Sequence, residues 1–229
     1  MFQTWLKRIV FFVVLALGGG FHAYSQIGNM PYVDDKFLHF GFSLGVNTMD
    51  FGINTASDSM STDVSTLKPG FSVGIISDMR INRYLNLRFT PTLHLSERQL
   101  NYKSNTGFID SVSINSIPVA LPFYLKYSAE RKNNYRPYII WGGGAYIDLG
   151  RKTSDVKLIL KPIDFYTEFG VGCDLYFSFF KLSPELKFAV GFNDMLTHDY
   201  VPSRQADEIY TKAISKLTSR MLTLTFNFE

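Results

Sequence analysis

A single cysteine, Cys173, occurs in 229 residues, which excludes an internal disulfide and a cysteine-rich metal site. Charge is also sparse: Asp, Glu, Lys and Arg make up 19% of the chain, below the roughly 25% of ordinary soluble domains. No apolar run reaches the roughly 20 residues that a spanning helix needs; the longest, Ile9 to Phe21, has 13. The formal net charge of +3 leaves no basic excess for nucleic acid, which is excluded as a partner. Collagen, coiled-coil and disordered compositions are missing too. What is abundant is aromatic: 21 Phe and 13 Tyr, a composition that favours strands.

Residues 1–25 read as a secretory signal peptide. Lys7 and Arg8 supply the positive start, Ile9 to Leu17 the apolar stretch, and Ala23-Tyr24-Ser25 the small-x-small cleavage pattern before Gln26. No cysteine at that point offers a lipoprotein anchor. The remainder, 26–229, reads as one domain and is almost neutral, with 21 basic and 20 acidic side chains.

That remainder alternates with period two, eight times over. In a strand, alternation sends successive side chains to opposite faces. From Leu38 to Thr48, Leu38, Phe40, Phe42, Leu44 and Val46 oppose His39, Gly41, Ser43, Gly45 and Asn47. From Leu85 to Ser96, Leu87, Phe89 and Leu93 oppose Arg88, Thr90 and His94. The other strands are expected at about 70–80, 112–127, 136–149, 163–176, 182–193 and 222–228. Their apolar members include Leu121, Phe169, Phe188 and Phe226, and their polar members Asp78, Lys126, Asp148, Asp164, Glu168, Asp174, Glu185 and Lys187. Short connections (about 81–84, 128–134, 177–181) alternate with long ones (about 51–68, 97–110, 150–161, 194–218), the last with a possible short helix from Ser203 to Lys216.

A soluble sandwich or lipocalin-like barrel turns its apolar face inward, and an outer-membrane barrel turns it to lipid. Lipid is favoured here. The apolar series hold no charge, where a Lys or Arg at mid-bilayer would cost ~2–4 kcal/mol. The opposite series collect the charges and many glycines, which suit a crowded interior. Short turns on one side and long loops on the other fit the same class, as does a last strand ending on Phe228. The fold expected is therefore all-β: an eight-stranded antiparallel up-and-down transmembrane barrel. Its lipid-facing residues would include Phe40, Phe42, Leu87, Phe89, Leu121, Phe169, Phe188 and Phe226. Pro118, Pro122 and Pro184 inside strands each remove a ladder donor and suit strand ends or bulges.

Eight strands enclose just enough room for side chains. Arg88, Lys126, Glu168, Asp174, Glu185 and Lys187 are therefore expected to form a structural charge network in the lumen. With six inward acids against three bases, some acids must meet water near the ends or be protonated. No catalytic, cofactor-binding or metal residue is assigned. Ser43 and His39 share a face but lie roughly 13 Å apart along a strand, too far for a catalytic pair. No GxSxG motif occurs, and Gly142-Gly143-Gly144 lacks the helix and Lys of a phosphate loop. His198 with Asp194, Asp199, Asp207 and Glu208 reads as a solvated loop rather than a cation site.

Four stretches carry a family likeness: Asp35-Lys36-Phe37-Leu38-His39-Phe40-Gly41-Phe42-Ser43-Leu44-Gly45-Val46-Asn47, Ser116-Ile117-Pro118-Val119-Ala120-Leu121-Pro122, Glu168-Phe169-Gly170-Val171-Gly172-Cys173-Asp174 and Leu182-Ser183-Pro184-Glu185-Leu186-Lys187-Phe188. In this order they resemble the PorT-family proteins of Bacteroidetes. The resemblance implies a non-enzymatic outer-membrane barrel of the type IX secretion system, used in protein export and, in gliding species, motility. Implied partners are outer-membrane lipid, other secretion-system membrane proteins and, during biogenesis, the barrel-assembly machinery. Termini would be periplasmic and long loops extracellular. A lipid-modifying enzyme of the outer membrane, or a small adhesin or porin-like barrel, is the alternative.

Overall fold

The computed structural model describes residues 29–55, 60–64, 69–104, 107–149, 163–195 and 214–229. The signal peptide expected at 1–25 and His198, Asp199, Asp207 and Glu208, expected in a loop, lie outside them.

A short 3-10 turn, Val33–Asp35, precedes eleven strand segments. They are β1 Leu38–Thr55, β2 Met60–Val64, β3 Pro69–Arg80, β4 Leu85–Phe89, β5 Thr92–Ser104, β6 Gly107–Ser116, β7 Pro118–Ser128, β8 Tyr135–Asp148, β9 Ile163–Tyr176, β10 Lys181–Gly191 and β11 Ile214–Phe228. β4 and β5 are one stave interrupted at Thr90-Pro91, since Phe89↔Phe123 and Thr92↔Ala120 keep one register against β7. β6 and β7 likewise form one stave across Ile117. β2 pairs with β5 at the long-loop end. The result is eight antiparallel staves, closed where β1 pairs with both β3 and β11. Closure removes the free edge, which hydrocarbon could not hydrogen-bond.

The prolines sit where the ladder can spare a donor. Pro118 opens β7. Pro122 lies beside the Thr90-Pro91 break and still accepts from the Thr90 amide through its carbonyl, at 3.4 Å. At Pro184 the β9–β10 ladder skips two pairs and resumes in the same register, with no bulge. The glycines of β8 answer an approach of backbones. A Cβ on Gly142 would run into the Phe123 carbonyl oxygen, and one on Gly144 into that of Leu121.

The structure corrects several boundaries. The connection expected at 97–110 is mostly strand: β5 runs to Ser104 and β6 starts at Gly107. β1 continues to Thr55 instead of ending near Thr48, paired along its length with β11. β11 starts at Ile214, not near 222, so the helix expected up to Lys216 is strand over its last three residues. In each case backbone pairing carries the sheet past the band where the hydrophobic pattern can signal it.

The polarity is inverted relative to a soluble protein. Among the described residues, Phe40 is 67% exposed, Trp141 63% and Phe165 56%, whereas Arg88 is 1% and Lys126 2% exposed. A water-soluble fold buries the first kind and hydrates the second. This distribution suits a sheet with hydrocarbon around it and a polar core along its axis.

The lumen and its charge network as the candidate functional site

Two tiers of side chains fill the barrel. The first lies toward the short turns and is centred on Arg88 of β4. Alternation along β4 turns Arg88 inward while Leu87 and Phe89 point out. Its Nε donates to Asp78 Oδ2 at 2.8 Å, and its Nη2 approaches the same oxygen at 2.7 Å. The guanidinium also meets Glu185 Oε2 at 3.4 Å and Glu229 Oε1 at 3.0 Å. Lys126 Nζ donates to both oxygens of Asp174, at 2.9 and 2.8 Å. Ser183 adds a hydroxyl donor to Asp174 at 2.6 Å, and Asn86 an amide donor to Asp78 at 2.6 Å. Lys181 closes the floor on Glu229 at 2.7 Å.

The second tier stands above it. The Tyr138 hydroxyl donates to Glu185 at 2.8 Å while its ring lies under Lys126 Nζ, 4.0 Å from the centroid. Glu185 also faces Lys187 at 3.5 Å, and Glu168 accepts from the Tyr124 hydroxyl. Higher still, Tyr146 and Tyr166 stack at 3.8 Å, packed with Met49, Met221, Ala120 and Ala189. Asn47 links His94 at 3.3 Å and Ser96 at 2.5 Å.

Large side chains come mainly from β7 to β10, and small ones face them from β1, β3 and β11: Ser43, Asn47, Ser72, Thr223 and Thr225, all buried. This asymmetry is what fills the cylinder. Gly172 shows the same fit on β9, where a Cβ would collide with the Tyr138 ring.

Five of the six expected network residues therefore fall in two groups, and the sixth stands apart. Arg88, Glu185 and Lys187 form one chain of contacts. Lys126 and Asp174 form a pair beside it, and Glu168 is held by a tyrosine rather than a base. Asp148, expected inward, is half-exposed at the long-loop rim, where its Oδ1 accepts from the Ile117 amide at 3.1 Å. Alternation weakens there because both faces of the stave begin to meet water. Lys181 and Glu229 were not expected. Their signal was present: Lys181 continues the inward series of Ser183 and Glu185, and Glu229 follows outward Phe228. Lys181 adds a base and Glu229 an acid, while Asp148 at the rim leaves the inward set, so the expected excess of acid shrinks by one.

Of the outward residues, Phe40, Phe42, Leu121, Phe169 and Phe226 are exposed. Leu87, Phe89 and Phe188 are half-buried. Phe89 stacks on Phe123 at 4.6 Å, and Phe188 meets Phe169 edge-on at 5.7 Å. Cys173 is a half-buried free thiol. His39 and His94 are buried, and the His39 ring meets the Val33 carbonyl at 2.6 Å. No cluster of metal-ligating side chains occurs among the described residues.

An edge-free sheet of eight staves, greasy outside and ionic inside, is an integral β-barrel of an outer membrane. Residues 24–197 match the outer membrane protein beta-barrel domain, and the chain belongs to that family. It is similar in fold to Neisserial surface protein A, with 13% identity, a TM-score of 0.43 and coverage of 84% of this chain and 98% of that one. It is also similar to outer membrane protein OprG from Pseudomonas aeruginosa, with 10% identity, a TM-score of 0.44 and coverage of 83% and 91%. Outer membrane protein AlkL gives 12% identity, a TM-score of 0.41 and coverage of 92% and 96%. No curated protein matches the sequence.

Proposed function

We propose that this outer-membrane barrel is a non-enzymatic component of type IX secretion of the PorT kind, acting through protein contacts. Its short turns and termini lie in the periplasm, and its long loops lie outside the cell. The observation that carries the reading is the filled lumen. Arg88 with its three carboxylates, and the Tyr146–Tyr166 stack above, occupy the axis. A barrel without a conduit works by its surfaces. The four segments that resemble the PorT family supply the particular system.

Deleting the gene and measuring secreted cargo tests the proposal. Loss of export, restored by the wild-type gene, is expected; normal export would overturn it. Altered outer-membrane lipids with intact export would point to a lipid-modifying enzyme instead.

A further inference from the structure

The short-turn mouth holds a cleft of about 420 Å³ that the lumen network does not use. Four arginines line it. Arg80 ends β3 two residues beyond inward Asp78, and Arg136 on β8 lies two residues before inward Tyr138. Both therefore continue the lumen face, and the rest of the lining comes from the turns and from the segment before β1. Arg83 comes from the turn after β3, and Arg131 from the turn before β8.

The deep pair is only partly compensated, by one carboxylate between the two cations and by the Tyr176 ring 3.6 Å from Arg131. Arg131 donates to the carbonyls of Asn133 at 2.8 Å and Met30 at 3.2 Å. Arg136 donates to those of Ala129 at 2.9 Å and Arg83 at 2.5 Å. Carbonyl oxygens orient a guanidinium but do not neutralise it. The two cations share one carboxylate, Asp34, at 3.7 Å each, and Asp34 also accepts from the Tyr176 hydroxyl at 2.8 Å. The outer pair is loosely engaged. Arg80 meets Asp35 at 2.9 Å and Arg83 meets Glu130 at 3.3 Å, yet these carboxylates are 67% and 62% exposed. Exposed pairs of this kind contribute about 0–1 kcal/mol and exchange readily.

We propose that this cleft receives a carboxylate-rich peptide segment of a periplasmic protein. Incoming carboxylates displace Asp35 and Glu130 from the outer arginines, and the net charge of the deep pair holds the segment. Arginine forks match carboxylates in geometry as well as sign. The volume lies within the range of ordinary ligand clefts, about 300–1,000 Å³. A lining drawn from the turns and the segment before β1, not from the outward faces of the staves, favours a soluble partner over a lipid headgroup. The inference rests on the reading above only in placing this mouth in the periplasm and assigning the barrel a protein-contact role.

Fluorescein-labelled hexaglutamate, titrated with the folded barrel in detergent and followed by anisotropy, tests the proposal. Saturable binding that weakens as salt is added is expected. The Arg80→Gln/Arg83→Gln variant should bind about tenfold more weakly. The Asp35→Asn/Glu130→Gln variant should bind more tightly than wild type, because it removes the built-in competitors; a merely structural cleft would not do this. Heat-modifiable migration on gels verifies that each variant is folded. Absence of binding, binding indifferent to both variants, or capture only of inorganic phosphate or of phosphatidylethanolamine/phosphatidylglycerol vesicles would overturn the proposal. Export from cells carrying Arg80→Gln/Arg83→Gln is read separately. Peptide binding with export unaffected by deleting the gene retains the cleft and removes the secretion role. A deletion defect without peptide binding does the reverse.

Discussion

Arg88 concentrates the energetics of the interior in one side chain. Three carboxylates meet it, and all four side chains are about 2% exposed or less. Charges withdrawn from water are tolerable only while paired, and removing one partner costs ~3–5 kcal/mol through the charges left behind. Arg88→Leu should therefore destabilise the folded barrel by about that amount, measured as a shift of the urea midpoint in lipid vesicles. Glu229→Gln should cost less, because Arg88 keeps Asp78 and Glu185 and the new amide oxygen can still accept from Lys181. Equal losses for the two variants would mean that the network is not centred on Arg88. Backbone proximity sets a second constraint at this scale. Gly142→Val must push β8 away from the Phe123 carbonyl. Ala145→Val adds its methyl groups on the outer face. Folded yield, scored by heat-modifiable migration, should collapse for the first and stay near wild type for the second.

Stave β7 shows the two environments most plainly. Its burial alternates residue by residue from Pro118 to Ser128, with Ala120, Tyr124 and Lys126 enclosed and Leu121, Phe123 and Leu125 exposed. Leu121→Arg puts a guanidinium on the outer face, where lipid would charge about 2–4 kcal/mol at mid-depth. Ala120→Ser puts a hydroxyl among the lumen polar groups. Barrel yield should drop sharply for Leu121→Arg and hardly change for Ala120→Ser; equal yields would reverse the assignment of faces. The same element explains what the sequence can disclose. Where one face meets hydrocarbon and the other a polar core, hydropathy must alternate, so the outward and inward series of the staves were legible. At 50–55 and 97–104 the staves rise beyond that band, and the charges of Asp50, Glu97, Arg98 and Lys103 break the apolar series. Backbone ladders carry the strands there, which left their ends hidden. The pairings within the lumen were hidden for a different reason. Which base meets which acid depends on the register across closure, and Arg88 meets Glu229 only because β11 returns beside β1.

For the whole molecule, closure and filling have separate consequences. Closure pairs the first stave with the last, so local fraying at either end exposes an edge to lipid and is resisted. The intact protein should migrate faster on a gel before boiling than after. Filling makes a stronger claim. The axis is crossed at one level by Arg88 with Asp78, Glu185 and Glu229, and at another by the Tyr146–Tyr166 stack. An ion would have to displace paired charges at the first level and packed rings at the second. An interior of eight staves leaves little spare width for a detour. Purified protein inserted into planar bilayers should therefore give no discrete open-channel steps, under conditions where a sixteen-stranded porin conducts readily. Arg88→Ser tests which level matters. It opens the lower tier but leaves the aromatic stack, so the variant should stay silent as well. Steps that appear in Arg88→Ser alone would make the ionic tier the only barrier. Steps in the wild type would mean that the lumen is a conduit and that the protein need not act through its surfaces.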